Sequence, residues 1–175
     1  MKEMGVPLHH VVTVTTRPRR AGEEDGTDYH FATESEFQQM LEKGELLECA
    51  QVYGRWYGVP KQQVRESLEG GNDAIVRVDV QGAATVKKLV PGAVLIFLAS
   101  ASASEYEERL RQRQTESDSE MKVRIESIEE ELKSLPLFDY LVVNRQGQLD
   151  SAASSVAAIM TAEKCRVCPR SVEVR

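Results

Sequence analysis

Along the chain, short runs of β-branched and apolar residues alternate with segments whose apolar positions recur at helical spacing. Leu8 to Thr16 is rich in β-branched residues and reads as a strand. Thr33-Glu34-Ser35-Glu36 fits a capping box, in which a hydroxyl and a carboxylate satisfy the first free amides of a helix, and Gly44 stops that helix. Leu46 to Val52 is a further strand. Pro60 suits the first turn of a helix ending at Gly70-Gly71. Ala74 to Val80 is a dense apolar run broken by Arg77 and Asp79, which predicts a buried strand carrying two charges. A short helix from Gln81 to Leu89, a strand from Val94 to Leu98 and a charged helix around Ser104 to Gln114 follow. From Asp118 to Leu135 the apolar residues Met121, Ile125, Ile128, Leu132 and Leu135 recur at steps of four and three, giving a helix with one oily face. Pro136 ends it, Phe138 to Val143 reads as a buried strand, and Asp150 caps a last helix reaching about Cys165.

Strands separated by helices predict an α/β fold, with a mainly parallel sheet flanked by helices and ligands held outside the carboxyl ends of the strands. The 175 residues are 41% apolar, enough for one sizeable core, and no internal repeat or Gly/Ser/Pro-rich linker divides them. Lys and Arg number 22 against 28 Asp and Glu, a net charge of −6, so the chain as a whole has no electrostatic reason to seek nucleic acid. Phosphate binding must be local. The longest apolar stretch, Ala93 to Ala99, falls far short of the roughly 20 residues that a bilayer span requires. No membrane association is expected, and Met1 to Pro7 carries no signal-peptide pattern, which points to a cytoplasmic or organelle-matrix home.

Three cysteines, Cys49, Cys165 and Cys168, are too few and too odd for a disulfide framework. Cys165 and Cys168 have C-x-x-C spacing, but zinc wants four ligands and His9, His10 and His30 lie far away in sequence. A frayed, polar tail over residues 166–175 is the simpler account, and no metal site is expected.

Candidate chemistry begins at Thr13-Val14-Thr15-Thr16-Arg17-Pro18-Arg19-Arg20-Ala21-Gly22-Glu23, where a strand runs into a turn bearing three arginines. Guanidinium forks suit a phosphate, although the same turn reads equally as a solvated basic loop paired with Glu23, Glu24 and Asp25. Then come Asp28-Tyr29-His30-Phe31, Leu46-Leu47-Glu48, Tyr53-Gly54-Arg55-Trp56-Tyr57-Gly58 and Val78-Asp79-Val80-Gln81-Gly82. Taken singly, Glu48 is an ordinary strand residue facing water, and Tyr29 and Tyr57 are turn aromatics covering a core.

Together, in this order and spacing from about Val11 to Lys164, these segments resemble the guanylate kinase family, nucleoside monophosphate kinases that transfer a phosphoryl group from ATP to GMP. The variants resemble the bacterial and plant-organelle type. The resemblance implies a P-loop NTPase-like fold over residues 1–165, with a GMP-binding subdomain at about 13–80 and a helical lid at about 104–124. It implies that Arg17, Arg20, Tyr29 and Tyr57 hold the GMP phosphate, that Glu48 reads guanine, and that Thr13 and Asp79 lie on the base side. A carboxylate can accept from both N1–H and the exocyclic amine of guanine, a donor pair that adenine lacks. Arg109 and Arg113, four residues apart on one helix face, and Arg124 behind them match the arginines that neutralise the transferring phosphoryl group. Read alone, they belong to a salt-bridged surface helix with Glu105 one turn before Arg109. Asn144 matches a position near the donor adenine, so that Arg109, Arg113 and Asn144 make up the ATP side; Arg145 stands where an acid is common. The implied cofactors are ATP and Mg²⁺, the latter arriving as MgATP, and the implied assembly is a monomer or homodimer.

The family's first strand and its G-x-x-x-x-G-K-[ST] phosphate loop have no counterpart here, since no Gly-Lys pair occurs in the 175 residues. Met1 falls in what matches the first helix, as in a truncation or a natural short form, and the donor phosphates then lack their backbone cradle, so turnover by these residues is expected to be negligible. Val59 replaces a Ser or Thr against guanine, Arg77 replaces the first acid of an Asp-x-Asp pair, and Gln112 and Gln114 replace lid glycines. The alternative is a non-catalytic module of the same family that binds nucleotide or a phosphopeptide through Arg17, Arg20, Tyr29 and Tyr57.

Overall fold

A computed structural model describes residues 8–52, 54–113, 128 and 130–174. They group into two compact units, residues 8–93 with 171–174, and residues 94–170.

The first unit opens with β1 (Leu8–His10) and β2 (Val14–Thr15), continues through β3 (His30–Phe31), α1 (Glu34–Glu42), β4 (Leu46–Val52), β5 (Arg55–Pro60) and α2 (Lys61–Glu69), and closes with β6 (Asp73–Ile75) and α3 (Val80–Leu89). β1 and β6 pair in parallel, while β3-β2-β5-β4 form a mixed four-stranded sheet in which β2 and β3 are parallel and β5 is antiparallel to both its neighbours.

The single strand predicted from Leu8 to Thr16 is therefore two strands in different sheets. Residues 11–13 carry the chain between them, and their polar backbone groups find other partners. Val11 N–H donates to the Ile75 carbonyl at 3.0 Å, and His30 N–H donates to the Thr13 carbonyl at 2.9 Å. The Gln63 side chain takes the place of a strand at Val12: Oε1 accepts the Val12 N–H at 2.8 Å, and Nε2 donates to the Val12 carbonyl at 3.2 Å. One amide thus satisfies both faces of a peptide that would otherwise be unpaired.

The departure of β1 at Val11 also shortens its partner. The strand expected over Ala74 to Val80 stops at Ile75, and residues 76–79 are irregular up to Asp79, the N-cap of α3. Its Oδ1 accepts the Gly82 N–H at 2.8 Å, which explains an acid in an apolar run.

α1 follows the sequence closely. Thr33 Oγ1 accepts the Glu36 N–H while the Glu36 carboxylate accepts the Thr33 N–H, and Gly44 adopts a left-handed φ of 65° just past the last turn. The core divides into a cluster of Val11, Leu47, Val59, Val64 and Val90, and a second of Val14, Phe37 and Leu46. Gly58 on β5 leaves room for the latter, since a Cβ there would lie 2.7 Å from Leu46 Cδ1 and 3.0 Å from Phe37 Cζ and both side chains would have to shift. The C-terminal residues do not fray as expected. Val174 packs against the first cluster and its carbonyl accepts from Arg65 Nε at 3.2 Å.

The second unit holds β7 (Ile96–Ser100), α4 (Ala103–Arg113), β8 (Tyr140–Asn144) and α5 (Leu149–Lys164), with β7 and β8 parallel. β7 begins and ends two residues later than predicted. The helix expected over Asp118 to Leu135 is present at residues 128 and 130–133, and the rest of that span lies outside the described residues. Asp150 sits in the first turn of α5 rather than capping it; Gln148 is the cap residue, and the acid favours the helix dipole instead. Here too the tail is held by charge, as Arg170 bonds Glu163 at 2.8 Å and Asp139 at 3.1 Å. Three of the five strand pairings among the described residues are parallel, in keeping with the predicted α/β class.

Candidate functional site

The end of β2 is braced before the arginines begin. Thr15 Oγ1, wholly buried, donates to the Trp56 carbonyl at 3.0 Å and accepts the Arg17 N–H at 3.2 Å, while Thr16 Oγ1 accepts the Trp56 N–H at 3.0 Å. Arg17 therefore leaves the sheet in a fixed direction. Its Nη2 bonds Glu23 Oε1 at 2.8 Å, its Nη1 donates to the Pro18 carbonyl at 2.7 Å, and its guanidinium lies 5.2 Å from the Tyr29 ring centre and 5.8 Å from that of Phe31. Burial works against the Arg17 charge, but the Glu23 bond and charge, with Tyr57 adding, leave its pKa above the ordinary value. Glu23 in turn is held below the usual carboxylate range, chiefly by Arg17.

Glu23 also orders the turn. Its Oε2 accepts the Arg20 N–H at 2.8 Å and its own N–H donates to the Arg20 carbonyl at 3.2 Å, which fixes the backbone of Arg20 beside that of Arg17. The basic turn is thus paired with Glu23; beside it the Glu24 N–H donates to Asp28 Oδ2, and Asp25 Oδ1 accepts the Phe31 N–H. Tyr29 and Tyr57 meet edge to face with centres 6.2 Å apart. Arg17, Tyr29 and Tyr57 accordingly form one cluster of forked cation and phenols, with Arg20 held in the same turn.

Glu48 lies on the neighbouring strand and does not face water: it is 5% exposed. The register shifts between Leu46 and Glu48, so Leu46 pairs with Pro60 but Glu48 pairs with Val59. This bulge leaves Leu46, Leu47 and Glu48 buried in succession, which regular alternation would forbid. Burial pushes the Glu48 carboxyl up to about 7, with the charge of Asp79 adding. Among the described residues no group donates a hydrogen bond to the Glu48 carboxylate. It abuts the first turn of α3, where a Cβ on Gly82 would lie 2.6 Å from Glu48 Oε1 and 2.9 Å from Val78 Cβ. Asp79 thus combines helix capping with a place beside Glu48. Thr13 is buried at the strand crossover and accepts from His30 through its carbonyl.

β5 ties the two clusters together. Tyr57 and Val59 share one face of it, with Thr15 and Ala50 across from Tyr57 and Glu48 across from Val59. The step from Tyr57 to the Glu48 pair is two residues along β5, or about 7 Å of strand.

Within residues 94–170, Arg109 on α4 donates from Nη2 to the Asn144 carbonyl at the end of β8 at 2.6 Å, whereas Glu105 is 3.8 Å away. Glu105 turns back to the start of its own helix, accepting the Ala101 N–H. Arg109 is therefore bound to the Asn144 segment more closely than to a helical ion-pair partner. The Arg113 side chain and Arg124 lie outside the described residues. Cys165 and Cys168 are exposed free thiols, and no group of three or more His, Cys, Asp or Glu able to hold a metal occurs among the described residues.

Two contributors escape a linear reading. Phe31 enters the cluster as a ring under Arg17, and Arg77 lies 5.6 Å from the Tyr29 ring centre. Phe31 had a signal, the Tyr-x-Phe alternation after Asp28; Arg77 registered as a charge in a buried strand and as a substituted acid, and is exposed outside any strand.

Residues 3–163 match the family model described as guanylate kinase. Similar curated proteins include guanylate kinase 2, chloroplastic/mitochondrial, of Oryza sativa subsp. japonica, 45% identical over 168 residues that cover 95% of this chain and 59% of that protein. The chain thus spans less than two thirds of the rice protein's length. The guanylate kinase of Caldanaerobacter subterraneus subsp. tengcongensis is 43% identical, with 89% of this chain and 75% of that one covered. Among solved structures, the guanylate kinase of Anaplasma phagocytophilum superposes with a TM-score of 0.78 at 28% identity, covering 97% of this chain and 82% of that one.

Proposed function

From the premise that this chain belongs to the guanylate kinase family, we propose that it serves the transfer of a phosphoryl group from ATP to GMP, giving ADP and GDP, and that residues 8–93 hold the acceptor. The observation that carries this reading is the buried Glu48 carboxylate, without a described donor, two residues along β5 from the Arg17–Tyr29–Tyr57 cluster. A buried acid costs stability unless something donates to it, and the N1–H and amine of guanine are a matched pair of donors.

In this reading Arg17, Arg20, Tyr29 and Tyr57 take the GMP phosphate. Glu23 keeps Arg17 aimed while leaving other guanidinium donors for a dianion. Thr13 and Asp79 border the base, Asp79 chiefly by fixing α3 and by its charge on Glu48. Arg109, anchored on the Asn144 carbonyl, serves the donor side, and Arg113 and Arg124 supply further positive charge for the transferring group. Mg²⁺ enters as MgATP, part of the donor substrate. The compartment we assign is the cytoplasm or a plastid or mitochondrial matrix; the rice relative's name supports the organelle reading, and no described helix is long and apolar enough to cross a membrane.

Calorimetric titration with GMP and AMP tests the acceptor. GMP is expected to bind at least tenfold more tightly than AMP at pH 8, and Glu48→Gln to abolish that preference, because a neutral amide cannot accept from both guanine donors as an ion does. Equal binding of the two nucleotides by the parent chain would refute the reading.

A further inference from the structure

Arg77 stands at the irregular end of β6, exposed, and among the described residues it has no carboxylate partner. Its guanidinium carbon is 5.6 Å from the Tyr29 ring centre, and its Nη2 reaches the Asp28 carbonyl at 3.4 Å. Arg17 approaches the same ring at 5.2 Å. Two guanidinium groups thus address the Tyr29 ring, and they differ in what else binds them: Arg17 is tied to Glu23 within the site, whereas Arg77 comes from the irregular segment after β6 and donates to the peptide carbonyl just before Tyr29.

We propose that Arg77 is a positioning residue for the phosphate cage, holding Tyr29 through its ring face and the Asp28 carbonyl so that the phenol stays beside Arg17 and Tyr57. The proposal rests on the GMP-site reading. The Asp28–Tyr29 segment otherwise hangs on a short β3 and on turn bonds, the Gly26 N–H to the Tyr29 carbonyl at 2.8 Å and the Asp28 N–H to the Glu24 carbonyl at 3.0 Å. These fix the turn's backbone, and the Tyr29 ring meets Phe31, Tyr57 and the Arg17 guanidinium within the site. The Arg77 cation over the ring adds a further restraint from a separate segment of the chain.

The test is binding of GMP and of guanosine, by calorimetry or competition, to the full chain and to Arg77→Ala, Arg77→Lys and Tyr29→Leu, alone and with Arg77→Ala. Loss of a partly exposed cation–π contact corresponds to about a three- to tenfold change. Arg77→Ala is expected to weaken GMP by that factor and leave guanosine within about twofold, and Arg77→Lys to recover most of the loss. In the Tyr29→Leu background, Arg77→Ala should have little further effect. An equal loss for GMP and guanosine would mark a merely structural role, and an additive effect in the double variant would mean that Arg77 does not act through Tyr29; either overturns the assignment. So does an Arg77→Ala chain that binds GMP as the parent does, with the GMP reading left standing. A parent chain that fails to bind GMP overturns that reading and this assignment together.

Discussion

Glu48 is the residue on which chemistry and stability pull in opposite directions. Its carboxyl is raised from 4.5 to about 7, by burial first and by Asp79 second. Between those values the folded chain holds a proton that the unfolded chain has released, so stability falls as pH rises across that window and levels off above it. Glu48→Gln removes the titration, and the variant is expected to gain about 1–3 kcal/mol on the parent between pH 5 and pH 8, measured by urea unfolding at each pH. GMP affinity should run the other way, climbing about tenfold or more from pH 5.5 to 8 as the carboxylate forms. In the Gln variant only the phosphate's own titration should remain. Gly82 guards the same group: Gly82→Ala drives a methyl into Glu48 Oε1, and is expected to cost about 1–3 kcal/mol of stability and to lower GMP affinity more than guanosine-independent phosphate binding. The sequence named Glu48 only through a resemblance. Its burial was hidden because a bulge at Leu46 to Glu48, invisible in the pattern of apolar residues, cancels the alternation that predicts a solvent-facing acid.

Elements with local determinants were legible, and those set by distant partners were not. α1 was readable because its cap, its first-turn acid and its stopping glycine are all neighbours in sequence. The last helix was readable in extent but not in its cap residue. The strand predicted over Leu8 to Thr16 breaks because a side chain 51 residues away, Gln63, replaces its ladder at Val12, and the strand over Ala74 to Val80 ends where that first strand turns aside. Gln63 also lies 3.2 Å from His30 Nε2, linking the crossover to the strand that carries Phe31. Gln63→Leu leaves the Val12 amide and carbonyl unpaired. It is expected to cost about 2–4 kcal/mol in chemical denaturation, with the loss spread over β1, β2 and β3 in hydrogen exchange.

For the molecule as a whole, a net charge of −6 leaves the proposed acceptor site as a local concentration of positive charge on an acidic protein. GMP affinity should therefore fall as salt rises while guanosine affinity stays level. The family was legible because its motifs are short, ordered and spread over the chain; the Arg77 contact was not, because it joins residues 48 apart through a ring face. The 175 residues contain no G-x-x-x-x-G-K-[ST] run to cradle the donor phosphates. These residues by themselves are expected to bind GMP yet to turn over at least a thousandfold more slowly than guanylate kinases with that loop, since backbone donors facing the phosphates carry much of the catalysis. A coupled assay for ADP release checks this, and ordinary turnover would contradict it.

The central claim is that one side-chain cage and one buried acid hold the two ends of GMP, and a crystal structure of the chain with GMP tests it most directly. The phosphate is expected on Arg17, Arg20, Tyr29 and Tyr57, with the guanine N1–H and amine on Glu48. A nucleotide found elsewhere, or a guanine whose edge faces solvent while Glu48 stays unpartnered, would contradict the account.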